Sequence, residues 1–357
     1  MRFGILYEIE ARRGASPQEV GELFWQCLEQ VKAAEEAGFD YVWAVEHHFL
    51  YPYSCSSAPE VFLAAVAQHT QRIRIGHGVV LLPRPYNHPV RVAERAAVLD
   101  ILSGGRLELG TGRSATLLEI EGFGLRPEET RPMWEEAVRM IPRMWLEESF
   151  RWQGEYYQIP PRNVTPKPLQ QPHPPLWMAG TQPSSGQLAG KYGLGFLHFT
   201  FVGPELVRES VEHYREAVAR AEPVGAFVNE QVAALTLAFC GRDDREAIEL
   251  GGRGPLYYLI GTRRIFTDWV GKADQSYQWY AELAERLPDR DRADIEELVE
   301  EGVICVGGPE TCRQIVRRYQ EQGVDQLIAV MQFSTTPHEL VVESIRRFGQ
   351  EVISAFR

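Results

Sequence analysis

The chain has 357 residues, with 37 Lys and Arg against 49 Asp and Glu, a formal net charge of −12 and a sequence pI near 5.4. That balance excludes a partner held through nucleic-acid phosphates, which needs clustered cations to displace counterions, while the length accommodates one large alternating β/α domain. Five cysteines, Cys27, Cys55, Cys240, Cys305 and Cys312, are odd in number and lack paired metal spacing, so they specify neither a disulfide framework nor a zinc site and point to a reducing cytoplasm.

The opening MRFGILYEIE enters a strand pattern directly, without the basic-then-apolar pattern of a secretory leader. Apolar runs are of strand length, well short of the ~20 residues that cross a bilayer, so no membrane association is expected. Residues 3–9 read as the first strand and 17–37 as a helix, with Ser16 as cap, Pro17 in the first turn and Gly38 as stop. The second strand follows in YVWAVEHHF, Tyr41 to Phe49. A helix over 59–71 leads into IRIGHGVVLL, whose continuous apolar character suits a strand buried on both faces. A helix over 89–102 and a glycine turn feed the fourth strand in RLELGTGRS. After an irregular excursion over 114–130 comes a helix over 131–146, then a proline-rich stretch, 150–175, with a hairpin around Gln153-Gly154. LWMAG makes strand five, 184–192 a helix, 196–199 strand six, 204–221 a helix, 232–240 strand seven, 325–332 strand eight and 339–356 a closing helix.

Eight alternating units favour a closed (β/α)8 TIM barrel over an open doubly wound sheet. The reading is one α/β domain, residues 1–357, with insertions over 114–130, 150–175 and, longest, 241–324 between strands seven and eight. The last is too long for a plain loop and is expected to act as a lid.

Three places on the strand ends carry chemistry-bearing residues. Glu46, His47 and His48 end strand two; successive strand residues point to opposite faces, so one imidazole at most enters the barrel mouth unless the strand ends between them. Packing is the plain role and proton transfer near neutral pH the functional one, with zinc hydrolysis as a competitor short of ligands, His198 being the obvious extra candidate. Two glycine-bearing turns, GTGRS at 110–114 and AGTQPSSG at 179–186, end strands four and five; the second opens a helix, and with Arg113 they suit a phosphate. In strand three, His77-Gly78-Val79 reads as a kink, or as a place where a ligand stacks on backbone. Arg106 and Glu108 are expected to form a structural ion pair. Trp43, Tyr51, Tyr53 and Trp177 are candidates to line the substrate space.

GFDYVWAVEHHF, RIGHGVVLLPRPYNHPVRVAERAAVLDILSGGRLELGTGRS, WMAGTQPSSGQLAGKYG, PKPLQQPHPPLWMAG and VGGPETCRQIVRRYQEQGVDQLIAV together resemble, in order and spacing, the bacterial luciferase-like monooxygenases. The resemblance spans essentially the whole chain. It implies a β/α barrel that binds reduced FMN from a separate flavin reductase, reacts it with O2 to a flavin peroxide and inserts one oxygen atom into a small or medium organic substrate. It also implies an acid/base role for His47 with His48 as neighbour, phosphate contacts from Arg113 and from Gly180, Thr181 and Ser184 beside Ala179, and a non-prolyl cis peptide at Gly78-Val79 supporting the flavin ring. Pairing into a homodimer through the helices over 59–71 and 89–102 is expected on the same ground. Gly112 stands where the light-emitting subunit carries a reactive cysteine and Gln332 where it carries a glutamate, which argues against light emission. Two other readings stay open: a deazaflavin-dependent hydride-transfer enzyme on the same barrel, and a non-catalytic partner subunit.

Overall fold

A computed structural model of the chain describes residues 1–199, 203–273, 276–289 and 294–357. Strand β1 (Arg2–Tyr7) leads to α1 (Pro17–Ala37), whose Ser16 and Glu19 cap the first turn reciprocally and whose end is closed by Gly38 at φ +94°. Then follow β2 (Tyr41–Ala44), α2 (Pro59–His69), β3 (Arg74–Leu81), α3 (Pro89–Leu102) and β4 (Leu107–Gly112). A short α4 (Leu117–Gly122) precedes α5 (Pro127–Leu146) and the antiparallel hairpin β5 (Phe150–Gln153) and β6 (Gln158–Arg162). Regular alternation returns with β7 (Leu176–Gly180), α6 (Pro183–Lys191), β8 (Gly195–His198), α7 (Arg208–Val218) and β9 (Val232–Cys240). Four helices, α8 (Asp244–Gly251), α9 (Arg253–Thr267), α10 (Gln278–Arg286) and α11 (Ile295–Glu300), are followed by β10 (Ile304–Gly307), α12 (Pro309–Glu321), β11 (Gln326–Val330) and α13 (His338–Arg347).

Strands β1, β2, β3, β4, β7, β8, β9 and β11 pair in parallel in that order, and β11 pairs back to β1, so the sheet closes into an eight-stranded barrel. The parallel pairing buries both faces of most strands, and β9 shows no exposed residue along its length. Inside, Trp43 and Trp177 meet edge to face at 5.6 Å. Room for them comes from glycine on the adjoining strands: Gly76 lies opposite Trp43 and Gly195 opposite Trp177, and a Cβ would fall 2.2 Å and 2.4 Å from the respective indole. Both tryptophans are therefore barrel filling, and neither lines the substrate space expected of them. Tyr51 is 49% exposed and also takes no part.

The differences from the sequence reading are local. The 114–130 excursion holds α4, and α5 begins at Pro127, where Glu129 bonds back to the Arg126 N–H at 3.0 Å. The 204–221 helix opens with a 3₁₀ turn before α7, and the 339–356 helix ends at Arg347, giving way to a π turn and a 3₁₀ turn. At that change Gly349 packs so closely on α1 that a Cβ would lie 2.2 Å from the Ala37 carbonyl oxygen. The end of the 241–324 insertion belongs to the scaffold rather than to a lid: β10 pairs with Leu237–Cys240 of β9, and α12 is the crossover to β11. Residues 274–275 and 290–293 of that stretch lie outside the described residues. All five cysteines are free, and among the described residues no helix is long and apolar enough to cross a membrane.

Candidate active site

At the carboxyl end of the barrel the chain turns sharply in three places. Ile9, Phe49 and Ser114, just beyond β1, β2 and β4, take φ of +55°, +62° and +75°, values that side-chain-bearing residues seldom adopt and that cluster at functional sites. The turns bring Glu8, His47 and Glu119 together. Past β2 the backbone N–H of His47 donates to the Ser56 carbonyl at 2.9 Å, and the two histidines part. His47 faces the cavity, its Nδ1 3.1 Å from Glu119 Oε1 and its Nε2 3.8 Å from Glu8 Oε2. His48 turns away: its Nε2 is 3.1 Å from Glu46 Oε1, and its ring lies 4.9 Å from that of Phe123 and 6.0 Å from that of Tyr86.

Glu8 and Glu119 were not among the candidates from sequence, although both are almost wholly buried. Glu119 sits in the first turn of α4, and its carboxylate accepts from the His48 N–H and from the Ser114 and Thr116 hydroxyls. Glu8 accepts a 2.9 Å hydrogen bond at Oε1 from Tyr258 of α9. Burial works against charge on His47, but Glu119 and then Glu8 outweigh it and hold its pKa up to about 9. Burial opposes ionisation of Glu119, yet the His47 charge and its hydrogen bonds keep the carboxyl below its ordinary range. Glu8 is pushed up by burial, His47 only partly offsetting it.

These shifts carry a pH signature. The folded chain binds the His47 proton more tightly than the unfolded chain, whose imidazole has its ordinary value of 6.5. The resulting stabilisation is complete below that value and is lost as pH rises through about 9. Thermal midpoints measured from pH 6 to 10 are expected to show His47→Gln increasingly close to the parent as pH rises. A gap that stays constant over this range would contradict the assignment.

One cavity, enclosing about 1220 Å³ with its open mouth included, joins these groups to the glycine turns. Of the residues singled out from sequence, Glu46, His47, Tyr53, Gly78, Val79, Arg113, Ala179, Gly180 and Thr181 are among those that line it. The Gly78-Val79 peptide bond is cis, and the β3 to β4 register shifts between His77 and Val80. His77 itself is buried, and burial lowers its pKa to about 4. Ser184 does not reach the cavity: α6 starts at Pro183, which leaves its side chain exposed with Oγ 3.5 Å from Gln182, and Ser185 lines the wall instead. Gly180 makes room for it, since a Cβ there would fall 2.2 Å from that of Ser185.

Arg113 donates to Thr130 Oγ1 at 3.0 Å and to the Ser276 carbonyl at 3.0 Å, with its guanidinium 4.1 Å from the Tyr277 ring centroid. Arg131 lines the same space. From above, α9 and α10 contribute Tyr258, Thr262, Ile265, Phe266 and Tyr280 to the wall, so these two helices are the part of the long insertion that covers the mouth. The expected pairing of Arg106 with Glu108 is replaced. β4 begins at Leu107, so Arg106 lies outside the strand and donates to the Ser103, Ile73 and Ala67 carbonyls, while Glu108 takes Arg74 and the Trp177 indole N–H. Among the described residues, buried His198 has no hydrogen-bond partner at either ring nitrogen, and no group of three His, Cys, Asp or Glu side chains is arranged to hold a metal ion.

The sequence matches the luciferase-like monooxygenase family over residues 1–326. It is 31% identical over 232 residues to the oxygenase component of flavin-dependent trigonelline monooxygenase of Acinetobacter baylyi, covering 63% of this chain and 61% of that protein, so the chain spans about three fifths of its length. With limonene 1,2-monooxygenase of Rhodococcus erythropolis it shares 31% identity over 304 residues, 83% of this chain and 72% of the relative. The crystal structure of monooxygenase RslO1 from Streptomyces bottropensis superposes with a TM-score of 0.83 at 26% identity, covering 100% of both chains. The chain belongs to the luciferase-like monooxygenase family.

Proposed function

We propose that this chain is the oxygenase of a two-component system: it takes reduced FMN from a separate flavin reductase and uses O2 to insert one oxygen atom into a small or medium organic substrate. The observation that carries the reading is that one cavity presents a cation with hydroxyl donors at one part of its wall and, at another, an imidazole held between two buried carboxylates. The trigonelline relative is itself an oxygenase component, which supports the reductase partner.

The residues present fit a flavin mononucleotide. Arg113, Thr181 and Ser185 supply donors suited to a phosphate, as does Arg131 nearby. Gly78, Val79, Ala179 and Gly180 form a wall without bulky side chains, against which a flat ring can lie close to backbone. Reduced flavin, when bound, supplies the electrons that activate O2. The chain's own contribution is electrostatic and steric. Glu119 holds Nδ1 of His47, which leaves Nε2 as the atom able to give or take a proton on the cavity side. Water formed from the second oxygen atom takes up two protons, and His47 is placed to relay one of them. The apolar face of α9 shields the space from solvent, which limits wasteful release of peroxide.

The homodimer belongs to the same proposal and rests on exposed apolar side chains of α2 and α3, Val61, Val98, Ile101 and Leu102; so does a cytoplasmic setting. Anaerobic titration with reduced FMN and with reduced deazaflavin, followed by admission of oxygen, tests the cofactor. Tighter binding of reduced FMN and substrate-dependent oxygen uptake are expected. Failure to bind any form of FMN would sink the reading, and deazaflavin reduction by a substrate without oxygen uptake would replace it with hydride transfer. A purely supporting subunit would show neither.

A further inference from the structure

The polar groups on the cavity wall beside His47 are almost all spoken for. Glu119 is saturated by His47, the His48 N–H, Ser114 and Thr116. Tyr53 and Thr262 share a 3.2 Å hydrogen bond, Thr262 donates on to the Tyr258 carbonyl, and Tyr258 donates to Glu8 Oε1. What remains is Glu8 Oε2, buried and without a hydrogen-bond partner among the described residues, facing His47 Nε2 across 3.8 Å. That separation is too long for a direct hydrogen bond; an oxygen atom bonded to both would have to enter beside the imidazole, since Glu8 Oε2 is itself covered.

We infer that Glu8 Oε2 and His47 Nε2 form the substrate's polar subsite, and that the substrate is an uncharged, largely apolar molecule carrying a hydroxyl group. The inference rests on the oxygenase reading for the word substrate, and its geometry stands without it. The hydroxyl oxygen accepts from His47 Nε2–H, and its proton is donated to Glu8 Oε2. The adjoining wall, Tyr53, Leu235, Ile265 and Phe266, offers carbon and aromatic surface to the rest of the molecule. A carboxylate would meet Glu8 with Glu119 behind the imidazole. An ammonium could satisfy Glu8, but it has no lone pair for His47 and would lie against its positive charge. A hydroxyl is both donor and acceptor and leaves neither group unpaired. Glu8 is in this reading the residue that sets specificity, by touching the substrate rather than by tuning His47.

The test uses equilibrium binding to the full flavin-free chain by calorimetry, with four probes built on one methylphenyl frame: p-cresol, toluene, 4-methylbenzoate and 4-methylbenzylamine. p-Cresol is expected to bind about 10-fold or more tightly than toluene, the scale of a buried acceptor newly satisfied, and the two ionised probes more weakly than p-cresol. In Glu8→Gln, whose amide replaces the acceptor by a donor, and in Glu8→Leu the cresol advantage is expected to collapse towards unity, with melting curves reporting that each variant is folded. Equal binding of cresol and toluene to the parent chain, an ionised probe binding best, or an advantage that survives in both variants would overturn the subsite. The parent comparison decides even if neither variant folds. Titration of the same preparation with reduced FMN separates the two ideas: flavin binding without probe discrimination removes the subsite and keeps the oxygenase, and discrimination without flavin binding does the reverse.

Discussion

Replacing His47 with alanine is expected to lower turnover by about 10²- to 10⁴-fold while reduced FMN still binds within a few-fold of the parent, the range associated with loss of a positioned acid or base. The expectation follows from where the two ring nitrogens lie. Nδ1 is held by a carboxylate that is itself fixed by three other donors, and Nε2 faces the cavity. Such a ring keeps one orientation and exchanges its proton on one side. His48, its neighbour in the chain, is engaged by Glu46 and packed on aromatic rings away from the cavity lining. His48→Ala is therefore expected to retain most turnover and to lose about 1 kcal/mol of stability, the net worth of one hydrogen bond. Single-turnover rates with pre-bound reduced FMN separate the two. Comparable losses in both variants would remove the distinction that the geometry draws between them.

The barrel was legible because its strands are apolar on both faces, as in IRIGHGVVLL, and because proline and glycine bracket its helices. The short strand β10 was not. ICVG lies among charged helical segments, and its pairing depends on β9 being nine residues long, so that β11 covers one half and leaves the other as an open edge. The site was legible through residue types that declare themselves, such as adjacent histidines and an arginine in a glycine turn. Glu8 and Glu119 did not declare themselves, since carboxylates at a strand end and in a short helix ordinarily face water. Their burial depends on left-handed backbone at Ile9 and Ser114, residues whose types give no sign of it. Ser184 was one residue out for a related reason. Adjacent residues on a helix point about 100° apart, and the start of α6 decides which serine turns inward. Tryptophan at a strand end was ambiguous in the same way until the facing glycines, Gly76 and Gly195, showed that both indoles fill the barrel below the cavity.

Arg113→Ala is expected to weaken reduced FMN binding by about 10- to 100-fold and to leave reduced riboflavin binding nearly unchanged. A charge-assisted hydrogen bond contributes about 1.5 to 3 kcal/mol, and each 1.4 kcal/mol is a factor of ten. The contrast between the two flavins isolates the phosphate, because they differ in nothing else. The guanidinium is already engaged by acceptors, the Ser276 carbonyl and the Ser276 and Thr130 hydroxyls, and it stacks on Tyr277. A phosphate arriving there exchanges acceptor for acceptor, so the net gain lies below the gross strength of the new bonds. That exchange sets the lower end of the range. Arg113→Lys keeps the charge but loses the fork and the planar stack, so its affinity is expected to fall between the parent and Arg113→Ala. Fluorescence titration of the three proteins with both reduced flavins under anaerobic conditions gives the comparison. Equal losses for FMN and riboflavin would place Arg113 in the lid contact alone and move the phosphate to Arg131 and the α6 turn.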